Sequence, residues 1–137
     1  MPATLAASAT QPHGIQLLVV DDDAGIRTLL EVTAGLDERF ELVGSAATAA
    51  DALRISGERA VLKQLDLILL DVSLPDRDGI ELLGDLRKVS GNALVALFTG
   101  WSDAATNQRA RLAGADAIFG KDGDPRRLLD GLAALCG

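Results

Sequence analysis

Acidic residues follow directly on two apolar runs of the chain. Asp21, Asp22 and Asp23 come after the run LLVV, and Asp71 comes after the run LILL. Neighbouring carboxylates repel one another unless a cation lies among them. Carboxylate oxygens suit Mg²⁺, which usually keeps several waters and needs only one or two protein carboxylates. The pattern therefore predicts a Mg²⁺ site where these two runs end.

Three side chains could act together on a phosphoryl group. Asp71 is a candidate nucleophile, because a carboxylate can accept a phosphoryl group to form an acyl phosphate. Thr99 ends the apolar segment ALVALFT and offers a hydroxyl, and Lys121 offers a mobile positive charge for phosphoryl oxygens. Taken singly, they also fit a turn aspartate, a β-branched strand residue and a solvated lysine. Their chemistry depends on whether the fold brings them together.

The segments that must position these residues alternate between strand and helix patterns. Strands are predicted at 15–20, 40–46, 65–71, 93–99 and 117–120, and helices at 24–36, 48–58, 79–90, 103–114 and from Pro125 onward. Five such units predict an α/β fold, a doubly wound (βα)5 parallel sheet with helices on both faces. Function in such sheets gathers at the carboxyl ends of the strands. Asp21, Asp71 and Thr99 lie at predicted strand ends, and Lys121 follows the fifth strand.

The first predicted helix starts just after Asp23. An aspartate at that position is more typical of a helix N-cap than of a metal ligand. Helical spacing also predicts one apolar stripe on this helix, formed by Ile26, Leu29, Leu30, Thr33 and Leu36.

Length and composition indicate a globular protein. The chain has 137 residues, 48% of them hydrophobic, and a formal net charge of −7. One domain is predicted at 15–137, after a flexible N-terminal tail at 1–14. The acidic balance argues against nucleic-acid binding by this chain alone. No apolar run reaches the roughly 20 residues that span a bilayer, and a single cysteine, Cys136, fits a reducing compartment. A cytoplasmic protein is expected.

Four motifs carry a resemblance to a known family. VVDDD, LILLDVSLPDRDG, ALFTG and GADAIFGKD stand in the order and nearly the spacing of the response-regulator receiver domains of two-component signalling. The resemblance covers roughly residues 15–135 and implies the flavodoxin-like strand order 2-1-3-4-5. The wording KDGDPRRLL is similar to that of receivers that precede helix-turn-helix output domains.

The resemblance implies a role for each candidate residue. Asp71 would be the phosphoacceptor, Thr99 the switch hydroxyl and Lys121 the phosphoryl-binding lysine. Mg²⁺ would be held by Asp21, Asp22, Asp71 and the backbone carbonyl of Ser73. Pro75 and Gly79 would shape the loop after the third strand.

The chain departs from the family pattern at three places. Asp122 follows Lys121 where receivers usually have proline, often after a cis peptide bond. Ile118 stands where the family typically has a tyrosine or phenylalanine, with Phe119 beside it. Trp101 lies two residues after the switch threonine, and we hypothesise that its bulk shields the acyl phosphate from water.

The function implied is a phosphorylation-dependent switch. A histidine kinase or histidine phosphotransfer protein of a phosphorelay would donate the phosphoryl group, and the face around the fourth and fifth helices would repack. Output would pass to a protein target, to a second copy of the chain, or to an output domain absent from this sequence. A stand-alone receiver is the expectation. The chain would promote only its own phosphorylation and dephosphorylation, and would not be an enzyme otherwise.

Two other functions stay open. A pseudo-receiver would keep the fold and serve as a binding module without using the phosphate. A haloacid-dehalogenase-type phosphatase would also use an aspartyl phosphate, but it needs a second aspartate two positions after the nucleophile as general acid. Ser73 occupies that position.

Overall fold

Five parallel strands form one sheet in the order β2-β1-β3-β4-β5, which confirms the predicted fold class. The computed structural model describes residues 14–100 and 103–137. The strands are β1 (Ile15–Val20), β2 (Phe40–Ala46), β3 (Leu67–Asp71), β4 (Leu94–Thr99) and β5 (Ala117–Gly120). The helices are α1 (Ala24–Gly35), α2 (Ala49–Val61), α3 (Gly79–Val89), α4 (Ala104–Ala113) and α5 (Pro125–Cys136).

Alternate residues of the central strands enter two core layers, because successive side chains of a strand point to opposite faces of the sheet. Leu18 of β1 and Ile68 of β3 belong to the layer beneath α2, α3 and α4. Leu17 and Leu67 belong to the layer beneath α1 and α5. Both faces of β1 and β3 are thus buried, which is why these strands read as unbroken apolar runs.

The apolar stripe predicted for α1 is only partly buried. Leu30 lies in the core together with Ala34, which pairs with it at helical spacing. Leu29 is 49% exposed and Leu36 is 83% exposed, and Val32 between them is 57% exposed. The helix therefore turns a narrow stripe of small and medium side chains toward the sheet, and a second apolar stripe toward solvent. The part of the chain that the structure describes has no helix long and apolar enough to cross a bilayer.

The two apolar residues of β5 point to opposite faces of the sheet. Ile118 packs against the α2–α4 layer, and Phe119 packs against the α1–α5 layer. A Cβ atom placed on Gly131 of α5 would lie 2.6 Å from Cε1 of Phe119, so the phenylalanine ring lies directly against that glycine. The aromatic side chain at this end of the sheet thus faces α5, and an aliphatic one faces α4. The peptide bond between Lys121 and Asp122 is trans.

Candidate functional site

The carboxyl edge of the sheet brings the predicted residues together. Asp71 is the last residue of β3, and it pairs in register with Phe98, the residue before Thr99. Thr99 in turn pairs with Gly120, the residue before Lys121. Asp21 follows the end of β1, whose last residue is in register with the residue before Asp71. The strand ends are therefore level, as the alternating pattern predicts.

Three carboxylates meet at this edge. Asp21, Asp22 and Asp71 each offer an oxygen, and these oxygens all lie within 4.8 Å of one another. The side chains of Asp21 and Asp71 are buried, whereas Asp22 is exposed. A compact set of hard oxygen donors, one of them reachable from solvent, fits a small divalent cation such as Mg²⁺.

Lys121 lies between the two buried acids. Its Nζ is 2.7 Å from Oδ2 of Asp21 and 3.2 Å from Oδ1 of Asp71. The same ammonium lies 5.4 Å from the centre of the Phe98 ring, within the range of a cation–π contact. Burial lowers the pKa of the Lys121 amine, but the contacts with Asp21 and Asp71 outweigh burial and raise that pKa above its ordinary value. The lysine therefore stays charged and balances part of the acidic cluster.

Asp21 is held by its own segment as well as by Lys121. Its Oδ1 accepts a hydrogen bond from the backbone N–H of Asp23 at 2.9 Å. Its carbonyl oxygen accepts a hydrogen bond from Nη1 of Arg27 at 2.7 Å, and sequence reasoning did not single out this arginine. Asp23 is the N-cap of α1, as predicted, since its Oδ1 accepts hydrogen bonds from Gly25 N–H and Ile26 N–H. The contacts assign Asp23 to the helix.

Asp71 is fixed by the loop that follows it. Its Oδ1 accepts a hydrogen bond from Ser73 N–H at 3.0 Å. The pKa of the Asp71 carboxyl is raised to about 6, mainly by burial and also by the charge of Asp21, while the hydrogen bond from Ser73 and the charge of Lys121 oppose this rise. A carboxyl with this pKa is mainly ionised at neutral pH, which a nucleophile requires.

A cleft of about 650 Å³ opens above these side chains. Its lining includes Asp22, Asp71, Ser73, Thr99 and Lys121, so the predicted residues share one space, with Asp21 beneath them. Thr106 on the first turns of α4 also lines the cleft, and no motif pointed to it. The shielding predicted for Trp101 falls outside the described residues.

The pKa of Asp71 leads to a prediction about stability. Without divalent cations, Asp71→Asn is expected to raise the free energy of unfolding near neutral pH by about 1–3 kcal/mol. The folded pKa of about 6 lies above the ordinary 3.8, so the folded state binds the proton more tightly than the unfolded state. Wild-type stability should therefore fall as the pH rises through this range, whereas asparagine has no charge to bury.

Urea unfolding of both proteins at a series of pH values measures this effect. The advantage of Asp71→Asn should shrink toward zero as the pH falls from above 6 to below 4. An advantage that stays constant over that range would show that the charge of Asp71 is not its cause.

Comparison with known proteins gives a consistent family match. The sequence model of the family described as response regulator receiver domain matches residues 17–133. The nitrate/nitrite response regulator protein NarP of Escherichia coli (strain K12) is 34% identical over 124 residues, covering 87% of this chain and 54% of NarP. Chemotaxis protein CheY of Halobacterium salinarum is 28% identical over 118 residues, covering 86% of this chain and 93% of CheY. The chain spans about half the length of several curated relatives that it matches.

A solved structure agrees with the fold. It is the crystal structure of a response regulator protein from Burkholderia pseudomallei with a phosphorylated aspartic acid, a calcium ion and citrate. It is 26% identical to this chain, covers 88% of this chain and 69% of its own, and has a TM-score of 0.74.

Proposed function

We propose that this chain, which belongs to the response regulator receiver domain family, accepts a phosphoryl group on Asp71 in a Mg²⁺-dependent reaction. As a receiver domain it is a phosphorylation-dependent module of two-component signalling. One observation carries the assignment to Asp71: its buried carboxylate lies 3.2 Å from Lys121 Nζ and beside two further acids. We assign this function to residues 15–137.

The chemistry at Asp71 follows from its contacts. One carboxylate oxygen attacks phosphorus, a P–O bond to Asp71 forms, and the bond from phosphorus to the donor breaks, so that the donor keeps the electron pair. Lys121, already adjacent to Asp71, then pairs with the phosphoryl oxygens. The Ser73 N–H donates to Oδ1, the same carboxylate oxygen that Lys121 contacts, so Oδ1 is held by two donors. These contacts orient the nucleophile before the donor arrives.

Asp21, Asp22, Asp71 and the Ser73 carbonyl would hold Mg²⁺. When bound, the ion would polarise the phosphoryl group and neutralise charge that develops on its oxygens. Asp22 is exposed at the cleft and offers its carboxylate to an incoming cation, while the oxygens of Asp21 contact Lys121 and Asp23 N–H. The phosphorylated aspartic acid and calcium ion of the Burkholderia protein support this proposal by analogy.

A histidine kinase or a histidine phosphotransfer protein is the proposed donor. The exposed stripe of Leu29, Val32 and Leu36 on α1 offers apolar surface for such a protein. Leu29 lines a small cavity together with Phe98 and Lys121, so the stripe begins next to the phosphorylation site. A donor bound there would have its phosphohistidine close to Asp71. A cytoplasmic location belongs to this proposal.

The output side of the proposal rests on Thr99 and α4. The Thr99 hydroxyl would turn toward the phosphoryl oxygens, and the face formed by α4 and α5 would repack for a protein target, an output domain or a second copy of the chain. Ile118 and Thr99 both line a groove of about 390 Å³ between β5 and α4. In this chain an aliphatic side chain would therefore carry the movement that an aromatic ring carries elsewhere in the family.

Incubation with Mg²⁺ and acetyl phosphate, followed by intact mass spectrometry, tests the proposed function. The mass should increase by one phosphoryl group, and EDTA should prevent the increase. If folded protein gains nothing while a known receiver in the same solution is labelled, the chain is a pseudo-receiver. Steady hydrolysis of a generic phosphate ester would instead favour the phosphatase alternative; in our proposal the chain changes only its own phosphorylation.

The metal site leads to a second prediction. Asp22→Asn is expected to weaken Mg²⁺ binding by about tenfold or more, because it removes the exposed carboxylate ligand. Calorimetric titration with Mg²⁺ gives the dissociation constants. Asp23→Asn is the matched control: it removes the same charge one residue away, and asparagine caps a helix as well as aspartate. Equal weakening by both substitutions would mean that overall charge, and not ligation by Asp22, sets the affinity.

A further inference from the structure

The loop at 72–78, between β3 and α3, connects the phosphorylation site to two neighbouring helices. On one side, the Asp76 carboxylate accepts hydrogen bonds from the N–H groups of Ala49 at 2.9 Å and Ala50 at 3.2 Å. These groups belong to the first turn of α2, where backbone donors have no partner within the helix. Asp76 therefore attaches the loop to α2.

On the other side, Asp78 attaches the loop to α4. Its Oδ1 accepts a hydrogen bond from Ile80 N–H at 2.7 Å and so caps α3. Its Oδ2 accepts a hydrogen bond from Nη2 of Arg109 at 2.9 Å, and this arginine lies on α4. Asp78 also forms an isolated antiparallel bridge with Ser73. Arg109 is thus two contacts away from the residue whose carbonyl faces the metal in our proposal.

α4 has little apolar anchorage of its own. Ala110 is the one fully buried residue along this helix, all of which the structure describes. Because so little of α4 is buried, the ion pair between Arg109 and Asp78 contributes a larger share of the interactions that hold this helix than it would for a helix with a broad apolar face. Its two side chains are 53% and 34% exposed, so its contribution is modest.

We propose that Arg109 is a positioning residue that couples α4 to the metal-binding loop through Asp78. This inference rests on the proposed function. With the pair formed, the bridge between Asp78 and Ser73 keeps the loop in place, and the site is preorganised for the cation. Because coupling between two sites is reciprocal, a cation or phosphoryl group bound at the loop also favours this position of α4. The coupling gives α4 a link to the site that does not pass through Ile118.

Arg109→Gln is expected to weaken Mg²⁺ binding by about two- to fivefold, the range of an exposed ion pair, and to slow phosphoryl uptake accordingly. Removal of a positive charge should by itself tighten cation binding, so weakening has the opposite sign to the general electrostatic effect. Arg111→Gln is the matched control, with the same loss of charge on the same helix. It should leave the affinity unchanged or slightly tighter.

A double-mutant cycle makes the test specific to the pair. Asp78→Asn keeps the oxygen that caps α3 but loses the charge that faces Arg109. In that background, Arg109→Gln should not weaken Mg²⁺ binding further, and the affinity should stay unchanged or become slightly tighter, as in Arg111→Gln. The coupling would be overturned if the two substitutions weakened Mg²⁺ binding additively in the double variant, or if Arg109→Gln bound Mg²⁺ with wild-type affinity. Neither outcome would affect the proposed function, provided that the wild type is still phosphorylated. Failure of the wild type to bind Mg²⁺ and to take up a phosphoryl group would overturn the proposed function itself.

Thermal unfolding without Mg²⁺ separates coupling from a simple structural role. Arg109→Gln should melt at most a few degrees below Arg111→Gln, because an exposed ion pair contributes no more than about 1 kcal/mol. A lowered melting temperature in Arg109→Gln with an unchanged Mg²⁺ affinity would mean that the pair only stabilises the fold, and would also overturn the proposal.

Discussion

Asp71→Asn is expected to reduce phosphoryl uptake from acetyl phosphate by at least about a thousandfold, which is to background in an intact-mass time course. The amide is a poor nucleophile, and it would have to lose a proton to form a stable bond to phosphorus. No other carboxylate of the site can replace Asp71. Asp71 is buried, contacts Lys121 and lines the cleft, and no other acid of the site combines these three properties. The variant should be folded, since asparagine is close to aspartate in size and removes a buried charge.

Asp130→Asn is the matched control for this loss. Asp130 is an exposed residue of α5 that pairs with Arg39, and it does not line the cleft. The control should be phosphorylated at the wild-type rate. Phosphoryl uptake by Asp71→Asn at a comparable rate would contradict the assignment of the acceptor, and the label would then have to lie on another residue.

Gly79→Ala is expected to lower the free energy of unfolding by about 2–4 kcal/mol, the largest effect on stability that we predict. A Cβ atom on Gly79 would lie inside van der Waals contact of the Asp71 carbonyl oxygen and 2.8 Å from Cα of Val72. These are backbone atoms, so no side-chain rotation relieves the overlap. The hydrogen bond from Gly79 N–H to the Val72 carbonyl, 2.7 Å long, would also be strained. The loop that orients Asp71 would shift, and phosphorylation would slow as well.

Gly84→Ala on the same helix is the control for Gly79→Ala. A Cβ atom at Gly84 meets nothing within 4 Å, and alanine in a helix interior is about 0.5–1 kcal/mol more favourable than glycine. Urea unfolding should therefore show opposite signs for the two substitutions. Stabilisation by Gly79→Ala would mean that the close approach of α3 to Asp71 is not a constraint on the fold.

The site residues that were identified from the sequence are those whose positions follow from the ends of strands. Asp21, Asp71 and Thr99 end or follow apolar runs, and parallel strands bring their carboxyl ends to one edge whatever the details of packing. The order of the elements along the chain was therefore enough to predict this cluster, and the spacing of Asp23 before α1 was enough to predict its cap. Lys121 needed only the short fifth strand before it.

The residues that were missed depend on how helices lie against loops. Arg109 contacts Asp78, and Asp76 contacts the first turn of α2, in each case between residues that are far apart in the chain. No period or motif predicts such contacts. The stripe predicted for α1 is only partly buried for a related reason: helical spacing permits more than one apolar stripe, and only packing decides that Leu30 is buried while Leu36 is exposed.

The identity of the phosphorylated residue is the most direct test of this account. Protein incubated with Mg²⁺ and acetyl phosphate is reduced with borohydride, which converts an aspartyl phosphate to homoserine, and is then digested for peptide mapping by tandem mass spectrometry. We predict homoserine at position 71, dependent on Mg²⁺ and on the phosphodonor. Homoserine at another aspartate, or none in a folded protein that has gained a phosphoryl group, would contradict Asp71 as the acceptor.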